Sequence, residues 1–412
     1  MIPMQLNLMS KENRAVLDSI SYLIGNADII ANMPENPVKK PFDNEIIEFL
    51  NEVSKILMGM EEAKVYADIM TLGFWMRKSA IWKQKERYQK ADNNIYAGRG
   101  VVFHIAPSNV PVNYAYSLVT GLLTGNANIV RIPSKNFPQV DIINNAFMQA
   151  MKKFERLKPY ICLIRYMRSK KVNDLLSLLA DTRIIWGGDA TIAELRKSVI
   201  SPRANEITFA DRYSLAIIDS DMYLDIKDRE RIANDFYNDT YLTDQNACTS
   251  PRMVVWTGNR KKEAKQEFWS YLHKIVKEKY VFQPVMGIHK LTSSYLTAAA
   301  FEGIKIEKCS DNYIFRVNVP KIWAGLMDLK DHSGYFLEYD CEDILELRGL
   351  CNDVRCQTIG FIGNREQLLP LLESGIKGID RIVPVGKTMD FDFIWDGYNL
   401  VEKLTRIVCF EI

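Results

Sequence analysis

The sequence predicts an α/β fold built on a doubly wound parallel sheet, and three observations support that prediction. From Gly98 onwards, short β-branched runs alternate with helix-length amphipathic segments, which is the pattern of repeated strand–helix–strand units with right-handed crossovers. The predicted strands are continuous apolar runs, as expected for strands buried on both faces of a parallel sheet. Turns of small and polar residues follow these strands, at the sheet edge where ligands bind in such folds.

Four buried strands and three crossover helices make up the first α/β region. We predict strands over 101–106, 128–132, 161–166 and 183–186, and helices over 112–123, 138–156 and 172–180. Ser169 or Asn173 is the candidate N-cap of the third helix. A second α/β unit begins at the apolar run 214–218, with further strands expected over 253–257 and near 357–363.

The first 95 residues or so have the apolar spacing of helices. Residues 61–90 place Val65, Ile69, Leu72 and Met76 on one stripe and then become strongly basic. A basic end on an amphipathic helix could contact a membrane or an acidic carrier protein. We favour the simpler interpretation, a solvated helix end beside a packed apolar stripe.

Composition and charge exclude several classes of function. The 412 residues predict two or three domains. With 53 basic and 51 acidic residues, the net charge of +2 gives no overall reason to bind nucleic acid or an anionic membrane. No apolar run approaches the roughly 20 residues that cross a bilayer, so we expect no transmembrane segment. Seven scattered cysteines, an odd number, favour a reducing cytoplasmic location over a disulfide framework.

Several common catalytic and binding motifs are missing from the sequence. It contains no G-x-x-x-x-G-K-[ST], no G-x-G-x-x-G and no G-x-S-x-G, so a dinucleotide site would have to use a variant turn. Cys351 and Cys356 have no second well-spaced pair, and the chain has four histidines in all. We therefore expect no metal site. His104 lies inside a predicted strand and is interpreted as a buried core histidine rather than a base.

Three turns after predicted strands are candidates to line a ligand crevice. They consist of Ala106, Pro107, Ser108 and Asn109; of Pro133, Ser134 and Lys135; and of Gly187, Gly188 and Asp189. Structural turns use the same residue types, so turn chemistry alone does not decide between the two roles.

Cys248 differs from the other cysteines in its surroundings. It lies in the polar segment DQNACTSP (244–251), directly before a strand-like run. A tight turn there would place backbone N–H groups near the thiol, and such donors can stabilise a thiolate or an oxyanion. A nucleophilic and a structural role both remain open from this local chemistry. Cys162 and Cys409 lie in apolar runs and are interpreted as core residues.

In their order along the chain, these segments resemble the aldehyde dehydrogenase superfamily, and most closely its LuxC-type branch of NADPH-dependent acyl-CoA (fatty-acyl) reductases. IAPSNVP (105–111) is similar to the first cofactor-and-oxyanion turn of the superfamily. GN (125–126) through RIPS (131–134) is similar to its ribose-binding segment, and WGGD (186–189) to its glycine turn. QNACTSP (245–251) resembles the nucleophile segment, and GIDRIVPVG (378–386) with WDGY (395–398) resembles that branch in particular.

The resemblance implies an aldehyde dehydrogenase-like architecture with a Rossmann-like cofactor domain, an α/β catalytic domain and a small oligomerisation element. We expect an N-terminal helical segment (1–95) that packs on the cofactor domain, a Rossmann-like NADPH-binding domain (96–213), a catalytic domain that carries the nucleophilic cysteine (214–385) and a C-terminal segment (386–412). It also leads us to expect a homo-oligomer.

The resemblance also implies a reaction. Cys248 takes the acyl group from a thioester, and hydride from NADPH releases it as an aldehyde, while the Asn109 amide and the backbone N–H of Cys248 hold the oxyanion. The resemblance also implies the residues that bind the cofactor. They are Ala106, Pro107, Ser108, Arg131, Pro133, Ser134, Lys135, Gly187, Gly188 and Asp189. Thr208 stands where aldehyde dehydrogenases place a water-activating glutamate, and Glu206 lies two residues away.

Two other functions remain open from the sequence. A cysteine-dependent acyltransferase or thioesterase would keep the acyl-cysteine chemistry and need no nicotinamide. A scaffold protein of a biosynthetic complex would need neither. The sequence leaves open the acyl chain length and the acyl carrier, which could be coenzyme A, an acyl carrier protein or a partner acyl-transferring enzyme.

Overall fold

The computed structural model describes residue 8, the ranges 10–88, 92–307 and 311–409, and residue 411. These residues form two compact units. The first unit extends to Ala210 and includes the chain from Tyr398 onwards, and the second is Asp211–Gly397. The four domain ranges given by the sequence stay a prediction.

The strands, in chain order, are β1 (Ser21–Ile24), β2 (Ile95–Gly98), β3 (Val101–Ile105), β4 (Ala127–Arg131), β5 (Ile161–Arg165), β6 (Thr182–Trp186), β7 (Asn205–Phe209), β8 (Tyr213–Asp219), β9 (Pro251–Thr257), β10 (Lys305–Ile306), β11 (Phe315–Asn318), β12 (Tyr335–Asp340), β13 (Cys356–Ile362), β14 (Arg381–Pro384), β15 (Ile394–Trp395), β16 (Tyr398–Asn399) and β17 (Thr405–Val408).

The α-helices are α1 (Lys11–Asp18), α2 (Ala27–Asn32), α3 (Asn44–Gly59), α4 (Glu61–Lys64), α5 (Ala67–Trp75), α6 (Lys78–Tyr88), α7 (Asn113–Leu123), α8 (Pro138–Met151), α9 (Lys170–Leu179), α10 (Asp189–Leu195), α11 (Ser220–Asp225), α12 (Arg229–Thr240), α13 (Lys261–Lys279), α14 (Pro284–Ala300), α15 (Arg348–Cys351), α16 (Leu369–Glu373) and α17 (Leu400–Leu404). Short 3₁₀ turns cover Met33–Glu35, Glu155–Tyr160, Tyr241–Thr243, Leu326–Asp328, Ile344–Leu347 and Arg365–Gln367.

The first unit is built on a six-stranded sheet in the order β1-β5-β4-β3-β6-β7. All neighbours are parallel except β1, which runs antiparallel to β5. When the five parallel strands β3 to β7 are numbered 1 to 5 along the chain, their order in the sheet is 3-2-1-4-5. This is the doubly wound arrangement of dinucleotide-binding domains. The strand order reverses between β3 and β6, so the ligand crevice is expected outside their carboxyl ends. The predicted doubly wound α/β fold is confirmed.

Strands β3 to β6 agree with the predicted ranges to within one residue at each end, and the Ser169 hydroxyl caps α9 by accepting the Val172 N–H (3.4 Å). The helix predicted over 138–156 is wrong at its C-terminal end. Helix α8 stops at Met151, and a 3₁₀ turn that contains Pro159 follows it. Phe154 lies beyond the end of the helix and packs edge-on against Phe49, with ring centroids 5.7 Å apart.

The single amphipathic stripe predicted over 61–90 is also wrong in part. The chain forms α4, α5 and α6 there, and residues 89 and 90 lie outside the described part of the chain. Ile69, Leu72 and Met76 are buried as expected, but Val65 is 77% exposed. The helix breaks because Tyr66 adopts an extended backbone. Helix α5 is therefore a separate helix from α4, and it packs against α3.

A directional hydrogen-bond network lies behind the carboxyl ends of β3 and β6. The indole N–H of Trp186 can only donate, so it donates a hydrogen bond to the Ser117 hydroxyl (3.1 Å). Ser117 in turn donates to Nδ1 of His104 (2.7 Å), which leaves the ring proton on Nε2 to bind Oδ1 of Asn128 (3.0 Å). The Asn128 amide completes the chain by donating to the carbonyl of Asn126 (2.8 Å). His104 is therefore a fully buried core residue, as predicted.

The second unit is built on a seven-stranded sheet in the order β10-β11-β12-β9-β8-β13-β14, parallel except for β10. Both faces of this sheet are covered, so alternate residues of each central strand enter different apolar cores. One core contains Leu215, Ile217, Met253, Val255 and Leu337. The other contains Ala216, Ile218, Val254 and Trp256, packed against Phe236 and Phe268 of α12 and α13.

Replacing His104 should change how stability depends on pH. Burial lowers the pKa of His104 to about 4, although its bond to Asn128 opposes the shift. The unfolded chain takes up this proton near pH 6.5 and the folded chain does not, so stability is lost as the pH falls from 6.5 to 4. We expect this site to account for about 3 kcal/mol of that loss.

Urea unfolding between pH 7.5 and 4 measures this contribution. The free energy of unfolding of His104→Gln should be lower than that of wild type at pH 7.5 but should decline less steeply towards pH 4. His289, exposed on α14, provides the control, and His289→Gln should follow wild type. Parallel curves for wild type and His104→Gln would show that His104 does not titrate in this way.

Candidate active site

The structure brings the three predicted turns to one edge of the first sheet. They follow β3, β4 and β6, which are neighbours in the sheet. The Ala106 N–H donates to the carbonyl of Arg131 (3.1 Å), and the Gly187 N–H donates to the carbonyl of Phe209 (3.0 Å), so the sheet ladder extends into the turns. Ser108, Asn109, Ser134, Lys135, Gly188 and Asp189 are exposed, whereas Ala106, Pro107, Arg131, Pro133 and Gly187 are half-buried.

Two cations lie beside the turn after β4. The Arg131 guanidinium stacks over the ring of Tyr166, 4.7 Å from its centroid, and its buried Nε has no hydrogen-bond partner among the described residues. The Lys135 ammonium lies 4.9 Å from the centroid of the Phe137 ring. At Gly188 a Cβ would meet nothing within 4 Å, so the turn after β6 leaves open space. These groups fit a phosphate-bearing ligand at this edge.

Cys248 lies in a loop before β9, at the amino edge of the second sheet. This is the opposite edge from the carboxyl ends at which ligands usually bind in parallel sheets. Asp244 and Gln245 adopt left-handed backbone conformations, with φ of +51° and +60°. The buried Gln245 amide holds the loop in place, since its Nε2 donates to the carbonyls of Pro251 (2.9 Å) and Tyr335 (3.1 Å) and its Oε1 accepts two N–H groups at the start of β12.

The backbone of Cys248 is tied to two strands through one hydroxyl. Ser214 on β8 donates to the carbonyl of Cys248 (2.8 Å) and accepts the N–H of Thr358 on β13 (3.3 Å). None of the hydrogen bonds in the described ranges uses the N–H of Cys248. The next residue, Thr249, donates its hydroxyl to the sulfur of Met389 (3.2 Å). The loop is therefore fixed at the carbonyl of Cys248 and keeps its N–H available.

A chain of polar side chains links Gln357 on β13 to the C-terminal motifs. Arg212 forms ion pairs with Asp380 and Asp396, the latter at 3.5 Å. The Gln357 amide donates to Asp396. Gln357 is 2% exposed.

Burial dominates the ionisation of the half-buried Cys248 thiol. Burial is the largest cause and the Asp396 charge adds to it, while Gln357 and the charges of Arg252 and Arg212 oppose them, and the net effect raises the pKa to about 12. The thiol is thus protonated at rest, in contrast to the expectation that turn donors would favour a thiolate.

Glu206 is held in a structural network in the first unit. One of its oxygens binds Arg183 (2.5 Å) and the other binds Arg196 (2.8 Å). Arg183 is buried and also donates to Ser177, Leu195 and Ser198. Because both carboxylate oxygens are bound by guanidinium groups, Glu206 anchors α10 to the sheet. Thr208 lies two residues further along β7, on the same face.

Sequence reasoning missed Ser214, Gln357 and Met389, and it gave Arg212 and Asp396 no role. A signal did exist for Gln357, which is polar and begins, with Thr358, a strand-like run that is otherwise apolar, CQTIGFI. Asn109 belongs to the first unit and Cys248 to the second, so their joint role stays a proposal. In the ranges that the structure describes, no group of three His, Cys, Asp or Glu side chains could hold a metal ion. None of the helices in those ranges is long and apolar enough to cross a membrane.

Comparison with known proteins identifies the family. The family described as acyl-CoA reductase (LuxC) matches residues 74–285. A long-chain acyl-protein thioester reductase from Aliivibrio fischeri is 23% identical over 322 residues. That alignment covers 76% of this chain and 64% of the relative, so the chain spans less than two thirds of the relative's length.

Solved structures show the fold. The aldehyde dehydrogenase KauB from Pseudomonas aeruginosa is similar with a TM-score of 0.65 and 12% identity, over 97% of this chain and 87% of that one. A 1-pyrroline-5-carboxylate dehydrogenase from Thermus with bound NAD has a TM-score of 0.61 and 13% identity, over 92% and 83%. The fold is therefore that of the aldehyde dehydrogenases. Since the matched region is more than half of its length, the chain belongs to the LuxC family of acyl-CoA reductases.

Proposed function

We propose that this chain reduces an acyl thioester to an aldehyde, with NADPH as the hydride donor and Cys248 as the nucleophile. The observation that carries the proposal is the position of Cys248, a half-buried thiol on a loop that the Ser214 hydroxyl and the Gln245 amide hold in place. The relative from Aliivibrio fischeri is named a long-chain acyl-protein thioester reductase, which favours a fatty acyl substrate.

In the first step the sulfur of Cys248 attacks the carbonyl carbon of the thioester. A carbon–sulfur bond to Cys248 forms, the bond to the carrier sulfur breaks, and the proton of Cys248 leaves with the carrier thiol. Burial keeps Cys248 protonated at rest, and a carrier thiolate with an ordinary pKa of about 8.5 is able to accept that proton. Arg252 and Arg212 favour the charge that develops on the Cys248 sulfur.

The oxyanion of this step needs hydrogen-bond donors close to the acyl carbonyl. None of the hydrogen bonds in the described ranges uses the N–H of Cys248, and we assign the Asn109 amide as the second donor. One such donor contributes about 3–4 kcal/mol to the transition state.

In the second step the bond between the acyl carbon and the Cys248 sulfur breaks, and the sulfur takes up a proton from water because burial raises the pKa of its thiol. When bound, NADPH supplies the hydride that converts the acyl group to an aldehyde. A nicotinamide dinucleotide is supported by the strand order of the first sheet and by the open space at Gly188 in the turn after β6, and the Thermus neighbour was solved with bound NAD. The groups that would hold it are the three turns, with Arg131 and Lys135 near the adenosine ribose.

Water should be a poor acceptor for the acyl group. Hydrolysis needs a general base near the attacking water. Thr208 cannot accept a proton near neutral pH, and both carboxylate oxygens of Glu206 are bound by arginines. The lack of a free base favours a reductase over a thioesterase. The dinucleotide-binding strand order of the first sheet favours a reductase over an acyltransferase.

The nucleophile is tested by trapping the acyl-enzyme. After incubation with a long-chain acyl-CoA and without NADPH, we expect wild type to gain the mass of one acyl group on the peptide that contains Cys248. Cys248→Ala should gain none, and its rate of aldehyde formation should fall by at least about 10³-fold, because it lacks the covalent step.

Two other cysteines provide the controls for this experiment. Cys351 is buried, whereas Cys409 is exposed, so its interpretation as a core residue is wrong. Cys351→Ala and Cys409→Ala therefore test both kinds of environment. Both variants should acylate at Cys248 as wild type does. A stable acyl adduct on Cys248→Ala would rule out the assignment.

Cofactor preference is tested at Arg131. An adenosine 2′-phosphate needs a cation at the end of the second strand of the doubly wound order, where NAD-specific proteins place a carboxylate. Titration should show tighter binding of NADPH than of NADH to wild type. Arg131→Ala should weaken NADPH binding by about 10- to 100-fold, as expected for a charge-assisted contact, and change NADH binding by less than about twofold.

Lys152→Ala is the matched control for that titration, since Lys152 is exposed at the end of α8, and it should bind NADPH as wild type does. Equal affinity of wild type for the two cofactors would contradict the assignment, as would an equal loss of both in Arg131→Ala.

A further inference from the structure

Arg252 is a buried arginine, four residues after Cys248, that pairs with no group in the described part of the chain. We propose that Arg252 binds the phosphate on the pantetheine arm of the thiol carrier, which is either coenzyme A or a carrier protein with the same arm. This inference rests on the proposed reaction of an acyl thioester at Cys248.

Three arginines lie at the amino edge of the second sheet, where the Cys248 loop also lies. Strands β9, β8 and β13 are consecutive neighbours in that sheet and run parallel. Arg212 directly precedes β8, Arg355 directly precedes β13, and Arg252 is the second residue of β9. Because neighbouring strands are about 4.8 Å apart, the backbones of the three arginines lie within roughly 10 to 15 Å of one another.

Arg252 differs from the other two arginines because it has no counter-ion. Arg212 and Arg355 each form ion pairs with two aspartate carboxylates. Arg252 forms no ion pair or hydrogen bond with any residue that the structure describes, although it is only 7% exposed. Burial lowers the pKa of Arg252, whereas in Arg212 the aspartates outweigh burial and the pKa is raised. An unpaired buried charge is costly, so Arg252 is suited to receive an anion from a ligand.

The guanidinium group of Arg252 is enclosed at its base and open at its end. In the described ranges, Nε is the one nitrogen of Arg252 that is both enclosed and without a hydrogen-bond partner. The two terminal nitrogens have no protein partner there either, so they are open to solvent. Their N–H groups lie in one plane and match two oxygens of a phosphate group. The open end therefore fits an anion that arrives from solution.

Strand β9 is irregular at Arg252. Pro251 pairs with Ser214 and Met253 pairs with Leu215, so Arg252 is the extra residue between two successive pairs. An extra residue of this kind interrupts the ladder and re-aims the side chain, and such bulges are frequent next to active sites. The irregularity explains how a charged residue stands in an otherwise apolar strand.

The proposed substrate decides which anion this is. Its fatty acyl chain is apolar and its thioester is neutral, so its negative charge lies on the carrier, where the pantetheine arm ends in a phosphate. The Cα atoms of Cys248 and Arg252, four residues apart, are separated by at most about 14 Å. The pantetheine arm is of comparable length, so a phosphate bound at Arg252 leaves the thioester within reach of the Cys248 sulfur.

The site is tested by titrating the reduced protein with 4′-phosphopantetheine and with pantetheine, which differ by the phosphate alone. Wild type should bind 4′-phosphopantetheine at least about tenfold more tightly, as expected for a charge-assisted contact. Arg252→Gln should bind the two compounds alike. Arg252→Lys keeps the charge but not the planar pair of donors, so it should retain part of the difference. A merely structural role of Arg252 would change both affinities together.

Arg231 provides the matched control, since it is exposed on α12 in the same unit, and Arg231→Gln should bind both compounds as wild type does. NADPH should bind to Arg252→Gln as it does to wild type. If Arg252→Gln does not fold, Arg252→Lys decides, because it must show a smaller difference than wild type. Equal binding of the two compounds by wild type would overturn the proposal. So would a loss of NADPH binding in Arg252→Gln, which would assign Arg252 to the cofactor.

Three carriers of one fatty acyl group identify the source of the phosphate. The rate of acylation at Cys248 is measured with palmitoyl-CoA, palmitoyl-acyl carrier protein and palmitoyl-pantetheine. For the carrier that the protein uses, Arg252→Gln should reduce the rate relative to palmitoyl-pantetheine by at least about tenfold. Any effect of Arg252 on the charge of the sulfur is common to the three compounds and cancels in this ratio.

The same experiment separates this inference from the proposed function. If wild type is acylated at Cys248 and Arg252→Gln leaves the ratio unchanged for both phosphate-bearing carriers, the inference alone fails. If none of the three compounds acylates wild type at Cys248, the proposed function fails, and the titrations with 4′-phosphopantetheine and pantetheine still decide the role of Arg252.

Discussion

The hydroxyl of Ser214 is the point at which β8, β13 and the Cys248 loop meet. It accepts one N–H and donates to one carbonyl, in a sheet whose strands are covered on both faces. Because buried backbone groups without partners are costly, this small bridge fixes where Cys248 lies relative to β13. The left-handed Gln245 completes the arrangement by tying the loop to the start of β12.

Burial of Cys248, the proposed nucleophile, keeps its thiol protonated, since desolvation raises the pKa more than the nearby arginines lower it. A resting thiol of this kind is protected from oxidants and alkylating agents, which react with thiolates. In the proposed mechanism the thiol becomes reactive as its proton is transferred to the departing carrier thiol. The proposed acyl-enzyme would also react slowly with water, because Thr208 and the arginine-bound Glu206 are poor bases.

Much of the fold could be predicted, because strands β3 to β6 are buried on both faces and such strands are continuous apolar runs. The N-terminal stripe was wrong at Val65, since apolar spacing does not reveal that the helix breaks at Tyr66. Cys248 itself could be singled out from its polar turn. The residues that hold its loop could not be predicted, because Ser214 and Thr358 are 144 residues apart in sequence and only the strand order of the sheet brings them together. Glu206 could not be placed from sequence, since its partner Arg183 lies on a neighbouring strand.

The central claim is that the acyl group on Cys248 leaves as an aldehyde, and a single turnover tests it most directly. Wild type is acylated with a long-chain acyl-CoA, freed of excess thioester, and mixed with NADPH or with buffer alone. The account predicts that NADPH releases one aldehyde per acyl group with one NADPH oxidised, and that the acyl-enzyme in buffer releases free acid much more slowly. Release of free acid at the same rate with and without NADPH, and without aldehyde, would contradict it and indicate a thioesterase.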